Sequence, residues 1–213
     1  MNQQFDEQDL KWSQYWLAEN LKLGSAQWGA LNDLLRLLAA ENEQQNLVAK
    51  GTLPFAWSRH IVDSLQLITH VPRGTSTWLD LGTGAGFPGL ACAIALPQTH
   101  FTLVEQRPRR TEWLERAKVA LGLRNVEIVT ANISQVPKQD FDVISARAFA
   151  PLEKLLNLSA AFSTKATAWV LPKGRSATHE LETLKGWRHM FHVEQSVTDP
   201  QSGIITGHLI GRK

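Results

Sequence analysis

Up to about residue 70 the apolar positions of this chain recur every three or four residues. Trp12 and Trp16 stand four apart, and Trp28, Leu31, Leu34, Leu35 and Leu38 fall on one helical stripe, which predicts two amphipathic helices. A third helix is predicted from Pro54, a residue suited to a first turn, with Trp57, Ile61, Leu65 and Ile68 as its buried face. The run Val71-Pro72-Arg73-Gly74-Thr75 ends it. From Thr77 the period changes. Short apolar strands are predicted over 77–81, 101–105, 126–130, 141–146 and 166–171, each followed by a turn and a helical stretch. That alternation implies a parallel, doubly wound sheet. The last two apolar runs, 189–197 and 203–210, are joined by Thr198-Asp199-Pro200-Gln201-Ser202, which leaves no room for a crossover helix. They predict an antiparallel hairpin. The expected fold is α/β and Rossmann-like, a mostly parallel sheet ending in that hairpin over 73–213, with an N-terminal helical extension over 1–72 packed on it.

Composition sharpens this picture in three places. With 213 residues, 43% of them hydrophobic and eight of them Trp, the chain can bury one full core, so disorder is excluded. The single cysteine, Cys92, has no internal partner and sits in an apolar run, which predicts a buried structural thiol and a reducing compartment. The polar, acidic start Met1-Asn2-Gln3-Gln4-Phe5-Asp6-Glu7 lacks the pattern of a secretory signal, and the longest apolar stretch, 87–97, is too short to span a bilayer. A cytoplasmic protein without a membrane partner is expected. The net charge of +2 is unevenly placed: residues 1–50 carry four basic and seven acidic side chains, a balance of −3, which leaves +5 for the remainder. That excess points weakly towards an anionic partner such as nucleic acid.

The strongest local signal is Trp78-Leu79-Asp80-Leu81-Gly82-Thr83-Gly84-Ala85-Gly86-Phe87-Pro88-Gly89, a strand entering a glycine loop and then a helix. Glycines there let a ligand approach the backbone closely, and the following helix offers free N–H groups. Two registers compete. Gly84, Gly86 and Gly89 fit the dinucleotide pattern, whereas Asp80 with Gly82, Gly84 and Gly86 fits the GxGxG loop of S-adenosylmethionine enzymes. Asp80 favours the second, because it would attract a cationic amine or sulfonium and repel a pyrophosphate. Glu105, closing the second strand, suits two ribose hydroxyls in either case. Five helix-linked strands closing in a hairpin are also the layout of a class I S-adenosylmethionine-dependent methyltransferase. Missing groups narrow the chemistry. Cys92 lies after the glycine loop and not after strand four, which excludes a cytosine-C5 mechanism. The sequence Ile144-Ser145-Ala146-Arg147-Ala148-Phe149-Ala150-Pro151 lacks the Asn/Asp-Pro-Pro-aromatic element of exocyclic amine methylation. A ring nitrogen with an available lone pair needs only alignment and no general base. His189 and His192 lack companion ligands, so no metal is expected.

Taken in order, Asn46-Leu47, Arg59-His60-Ile61-Val62-Asp63-Ser64-Leu65, the loop Gly82 to Gly89, Arg147-Ala148-Phe149-Ala150 and Lys173-Gly174 resemble the ribosomal RNA small subunit methyltransferase G family, also called glucose-inhibited division protein B. The resemblance implies S-adenosylmethionine-dependent methylation of N7 of guanine 527 in the 530 loop of 16S rRNA, with the rRNA or the small ribosomal subunit as partner. It also implies that Gly82 and Phe87 flank the cofactor, that Ile133 and Ser134 lie at its adenine, and that Arg147 closes the pocket near the methionine or the target base. The family often carries an acid at the position of Ser134, so backbone contact is expected there.

Arg59, His60, Arg109, Arg110, Lys173 and Arg175 are the RNA candidates, with Lys173 and Arg175 favoured by their place at the sheet's carboxyl edge. Plainer readings stand beside these: an Arg59–Asp63 ion pair four apart on a helix, a packing role for His60, and an Arg147–Asp142 pair. A small-molecule methyltransferase and a non-catalytic nucleotide-binding module remain as alternatives.

Overall fold

The structure, a computed structural model, describes residues 5–213. Its centre is a sheet in the order β3-β2-β1-β4-β5-β8-β6, with β7 paired to β8 off this path. The strands are β1 (Thr77–Leu81), β2 (His100–Glu105), β3 (Val126–Thr130), β4 (Phe141–Ala146), β5 (Ser163–Gly174), β6 (Trp187–His189), β7 (His192–Gln195) and β8 (Gly203–Arg212). The first five pair in parallel, and β8 runs antiparallel to β5. The five helix-linked strands lie where the apolar pattern placed them. The predicted hairpin forms as β7–β8, with Gln195 opposite Gly203 and His192 opposite Thr206. Its first arm is broken in two at Met190 and Phe191, where Met190 N–H donates to His208 and the backbone presses on Gly207.

Both faces of the sheet are covered, which is why each central strand reads as a continuous apolar run. On one face Trp78, Val143 and Val170 join a core shared with α2 (Ser25–Asn42), α4 (Gly89–Ala95) and α5 (Pro108–Ala120). On the other, Leu79, Ile144 and Trp169 pack with α6 (Leu152–Ser159) and α7 (Ala177–Glu182). Leu31, Leu34, Leu35 and Leu38 of α2 are buried as predicted, and they belong to the same apolar cluster as the sheet residues. The N-terminal helices therefore complete the core.

Two details differ from the sequence reading. In α1 (Glu7–Asn20) the buried positions are Ser13 and Leu17, while Trp12 is 39% exposed. The start of the helix is tied to the third helical segment: Asp6 N–H donates to Pro54 O and Asp9 accepts from Ser58 N–H. The third helical segment starts after Pro54, winds as a π-helix over Trp57–Val62, passes through the single turn α3 (Asp63–Leu65) and tightens to 3-10 over Gln66–His70. A π-helix is wound wider than an α-helix, so residues four apart no longer stand one above the other. Arg59 and Asp63 accordingly do not form the expected pair: Asp63 meets Arg147, Thr198 and Gln66.

Candidate functional site

The glycine loop leaves β1 at the carboxyl edge of the sheet, where doubly wound folds bind ligands. Gly82, Gly84 and Gly86 all have positive φ, which favours glycine at these three positions of the turn. Glu105, 5% exposed at the end of β2, ties the loop to α5: one oxygen accepts Gly84 N–H at 3.1 Å and the other Arg107 N–H at 3.0 Å. Arg110 reaches back over the loop to within 3.8 Å of the same carboxylate.

A cavity of about 340 Å³ opens here, lined by Gly82, Glu105, Asn132, Ile133, Arg110 and Phe149 among others. Asn132 caps the short 3-10 turn Ile133–Gln135, turning Ile133 inward. A second cavity of about 790 Å³ adjoins the carboxyl ends of β4 and β5, with Arg59, His60, Asp63, Arg147 and Lys173 in its wall. Ala148, Phe149 and Ala150 line both cavities. The loop after β4 is thus the partition between them. Ala148 takes a positive φ of 51°, and the Phe149 ring lies against Gly82, 2.5 Å from where a Cβ there would stand.

The structure places several predicted site residues in roles that sequence did not show. Asp80 is fully enclosed and lines neither cavity; it accepts from Ser145 Oγ at 2.7 Å and from Gly89 N–H at 3.1 Å. Burial raises its pKa, against the hydrogen bonds from Ser145 and Gly89 that lower it. It braces the glycine loop from behind and does not face a cationic ligand. Phe87 is 2% exposed, stacked on His60 at 5.2 Å with the Arg147 guanidinium 5.5 Å from its ring centre. Ser134 is exposed and bonded to Asn132, outside both cavities.

His60 is buried, with Nε2 3.0 Å from Thr52 Oγ1; burial, then the charges of Arg147 and Arg59, hold its pKa down to about 3. Thr52 Oγ1 already donates to Ala49 O, so Nε2 carries the proton and Nδ1 is left without a partner. A buried neutral ring of this kind is a packing element.

Arg147 pairs with Asp63 at 3.3 Å, while Asp142 is occupied by Ser76 and Thr77 N–H groups, so the Arg147–Asp142 alternative is replaced. Lys173 departs furthest from its reading. Its side chain is 7% exposed, pairs with Glu180 at 3.0 Å and donates to Ala150 O, which holds the partition loop from the β5 side. Arg59, Arg109 and Arg175 are exposed, Arg59 in the wall of the larger cavity, whereas Arg110 faces the smaller one. Cys92 is buried in the apolar core, its thiol pKa pushed well up by burial and then by Asp80, and its thiol donates to Ser64 O. Asn132, Phe149 and Asp63 were not among the predicted contacts. Asn132 had a local signal in the Asn-x-x-Gln capping pattern, and Asp63 and Phe149 lie within the motif segments of the resemblance, which did not say what they touch.

Comparison with known proteins agrees with this geometry. The family described as rRNA small subunit methyltransferase G, or GidB, matches residues 27–202. The ribosomal RNA small subunit methyltransferase G of Novosphingobium aromaticivorans is 55% identical over 205 residues, spanning 94% of this chain and 89% of that protein. The one from Erythrobacter litoralis is 53% identical over 175 residues, spanning 82% and 84%. Among solved structures, mitomycin 7-O-methyltransferase superposes with a TM-score of 0.58 at 15% identity over 87% of this chain and 69% of that one. Ribosomal protein L11 methylase from Lactobacillus delbrueckii subsp. bulgaricus gives 0.55 at 11% identity over 71% and 77%. The structural likenesses fix the class I methyltransferase fold, and the sequence match fixes the rest: the chain belongs to the rRNA small subunit methyltransferase G family.

Proposed function

We propose that the protein methylates N7 of guanine 527 in the 530 loop of 16S rRNA with S-adenosylmethionine, acting in the cytoplasm on the rRNA or the small ribosomal subunit. The observation that carries this reading is the pair of cavities meeting at one loop, the smaller framed by the glycine turn and Glu105. No helix among the described residues is long and apolar enough to cross a membrane.

The smaller cavity fits the cofactor. Gly82 lines it with the Phe149 ring seated against it, the apolar Ile133 suits an adenine ring, and Glu105 keeps acceptor capacity beyond its two N–H bonds for ribose hydroxyls. When bound, S-adenosylmethionine supplies an electrophilic methyl on a sulfonium. The chain's own contribution is to hold the acceptor in the larger cavity with its ring nitrogen in line, and to keep water from the gap with Ala148, Phe149 and Ala150. No side chain is required to take a proton, because the N7 lone pair is already free.

The test is transfer of labelled methyl to deproteinised 16S rRNA, to small subunits, or in the absence of any acceptor. Label mapping to guanine 527 is expected, and binding without transfer, or transfer only to small molecules, overturns the reading. Gly84→Val forces a branched side chain onto φ +58° beside Arg110, so the folded variant is expected to lose S-adenosylhomocysteine binding in calorimetric titration. Unchanged affinity there would refute the loop assignment.

A further inference from the structure

The wall of the larger cavity carries three cationic side chains, Arg59, Arg147 and Lys173, and three carboxylates, Asp63, Glu180 and Asp199. Lys173 is already paired with Glu180 and Arg147 with Asp63. A balanced wall of this kind does not select a phosphate. It suits a neutral ligand with donors and acceptors along one edge, and leaves phosphates to the exposed Arg175, which lies outside that wall.

Within that wall one pair has unused hydrogen-bonding capacity that faces the cavity. The side chains of Asp63 and Arg147 are 22% and 23% exposed. Asp63 Oδ1 accepts from Thr198 Oγ1 at 2.9 Å and Gln66 Nε2 at 3.1 Å, and Oδ2 accepts only from Arg147. A carboxylate has about four acceptor sites, so one remains on Oδ2. The guanidinium spends NH1 on Asp63 and has no other hydrogen-bond partner among the described residues, while the Phe87 ring 5.5 Å away limits its movement. An acceptor site and free N–H donors therefore stand side by side.

We propose that this pair reads the Watson–Crick edge of the acceptor base, Asp63 accepting N1–H of guanine and Arg147 donating to O6, which leaves N7 free on the other side of the ring. The proposal rests on the methyl-transfer reading above and adds its base selectivity. Adenine presents an acceptor at N1 and a donor at N6, so both contacts reverse sign and become repulsive. Asp63 is then a specificity-determining residue, and Arg147 is anchored by it in the orientation that O6 requires.

The experiment uses small subunits assembled with 16S rRNA whose acceptor guanine is replaced by inosine, which keeps N1–H and O6, or by 2-aminopurine, which keeps N7 and loses both. In single turnover the wild-type enzyme is expected to use inosine within about threefold of guanine and to disfavour 2-aminopurine by about 10- to 100-fold. Asp63→Asn should contract the guanine to 2-aminopurine ratio about tenfold in the folded enzyme, with S-adenosylhomocysteine affinity held. Arg147→Lys, which keeps the charge and loses the fork, provides a second variant and should contract it as well. Equal use of guanine and 2-aminopurine by the wild type overturns the proposal. So does an unchanged ratio in folded variants, since a merely structural Asp63 lowers turnover on every base alike. A wild-type enzyme that labels no guanine-bearing subunit refutes the methyl-transfer reading instead.

Discussion

Lys173→Ala separates a lysine that holds a loop from one that touches RNA. The ammonium is paired with Glu180 at 3.0 Å and bonded to Ala150 O, with the side chain 7% exposed. Removing one member of a buried pair costs about 3–5 kcal/mol when the survivor is left uncompensated. Glu180 keeps two donors, Leu152 N–H and Ser176 Oγ, both at 2.6 Å, and its own side chain is 20% exposed. The cost expected here is therefore lower, about 2–3 kcal/mol, or about 4–12 °C in melting temperature for a chain of this length. Burial raises the Glu180 pKa, but the hydrogen bonds from Ser176, Lys173 and Leu152 and the Lys173 charge outweigh it and hold it below the usual 4.5. A depressed folded-state pKa means that the stabilisation is present above 4.5 and is lost as pH falls through the folded value. The difference in melting temperature between wild type and variant should be full at pH 7 and shrink below that range. Calorimetric melts at pH 7 and at a pH below 4.5, with RNA affinity measured against salt, supply the assay. A phosphate-contacting lysine contributes about one to the slope of log affinity against log salt, so an unchanged slope is expected for Lys173→Ala and a loss of about one for the exposed Arg175→Ala. An unaltered melting temperature with a slope reduced by about one would refute the reasoning.

Two further outcomes follow from packing and titration. A methyl group at Gly89 would stand 2.3 Å from Leu103 Cδ2 and 2.8 Å from Asp80 Oδ2, so Gly89→Ala should overpack the loop by about 1–3 kcal/mol; an unshifted thermal melt would remove close packing as the reason for glycine there. Burial holds the His60 pKa at about 3 against 6.5, so its stabilisation is complete above 6.5 and is lost as pH falls towards 3, by up to about 1.4 kcal/mol per pH unit. His60→Phe should flatten that acid limb in denaturant titrations, and an identical limb would show that His60 protonates without cost.

The strands and the glycine loop were legible because their causes are local: two-sided burial makes an apolar run, and a left-handed turn calls for glycine. What stayed hidden depended on partners far along the chain. An acid before a glycine loop looks the same whether it faces a ligand or, as Asp80 does, Ser145 on the neighbouring strand. Lys173 reads as a surface cation until α7 brings Glu180 to it and the partition loop brings a carbonyl. Trp57, Ile61 and Leu65 repeat every four residues, a spacing that does not separate α from π winding, so the displacement of Asp63 from Arg59 towards Arg147 had no sequence signature.

The partition loop gathers these hidden contacts on one stretch of backbone. Ala148 holds a left-handed conformation that costs a non-glycine residue about 1–2 kcal/mol, which persists only where surrounding contacts impose it. Those contacts come from both sides: the Phe149 ring is seated on Gly82, while Lys173 holds Ala150 O and Glu180 holds Leu152 N–H. The separation of the two cavities is therefore set by Ala148, Phe149 and Ala150, none of which titrates. Removing a proton from an amine would call for a base at that point. Methyl transfer to a ring nitrogen calls for alignment without a base, and the clamped partition brings no titrating side chain to that point.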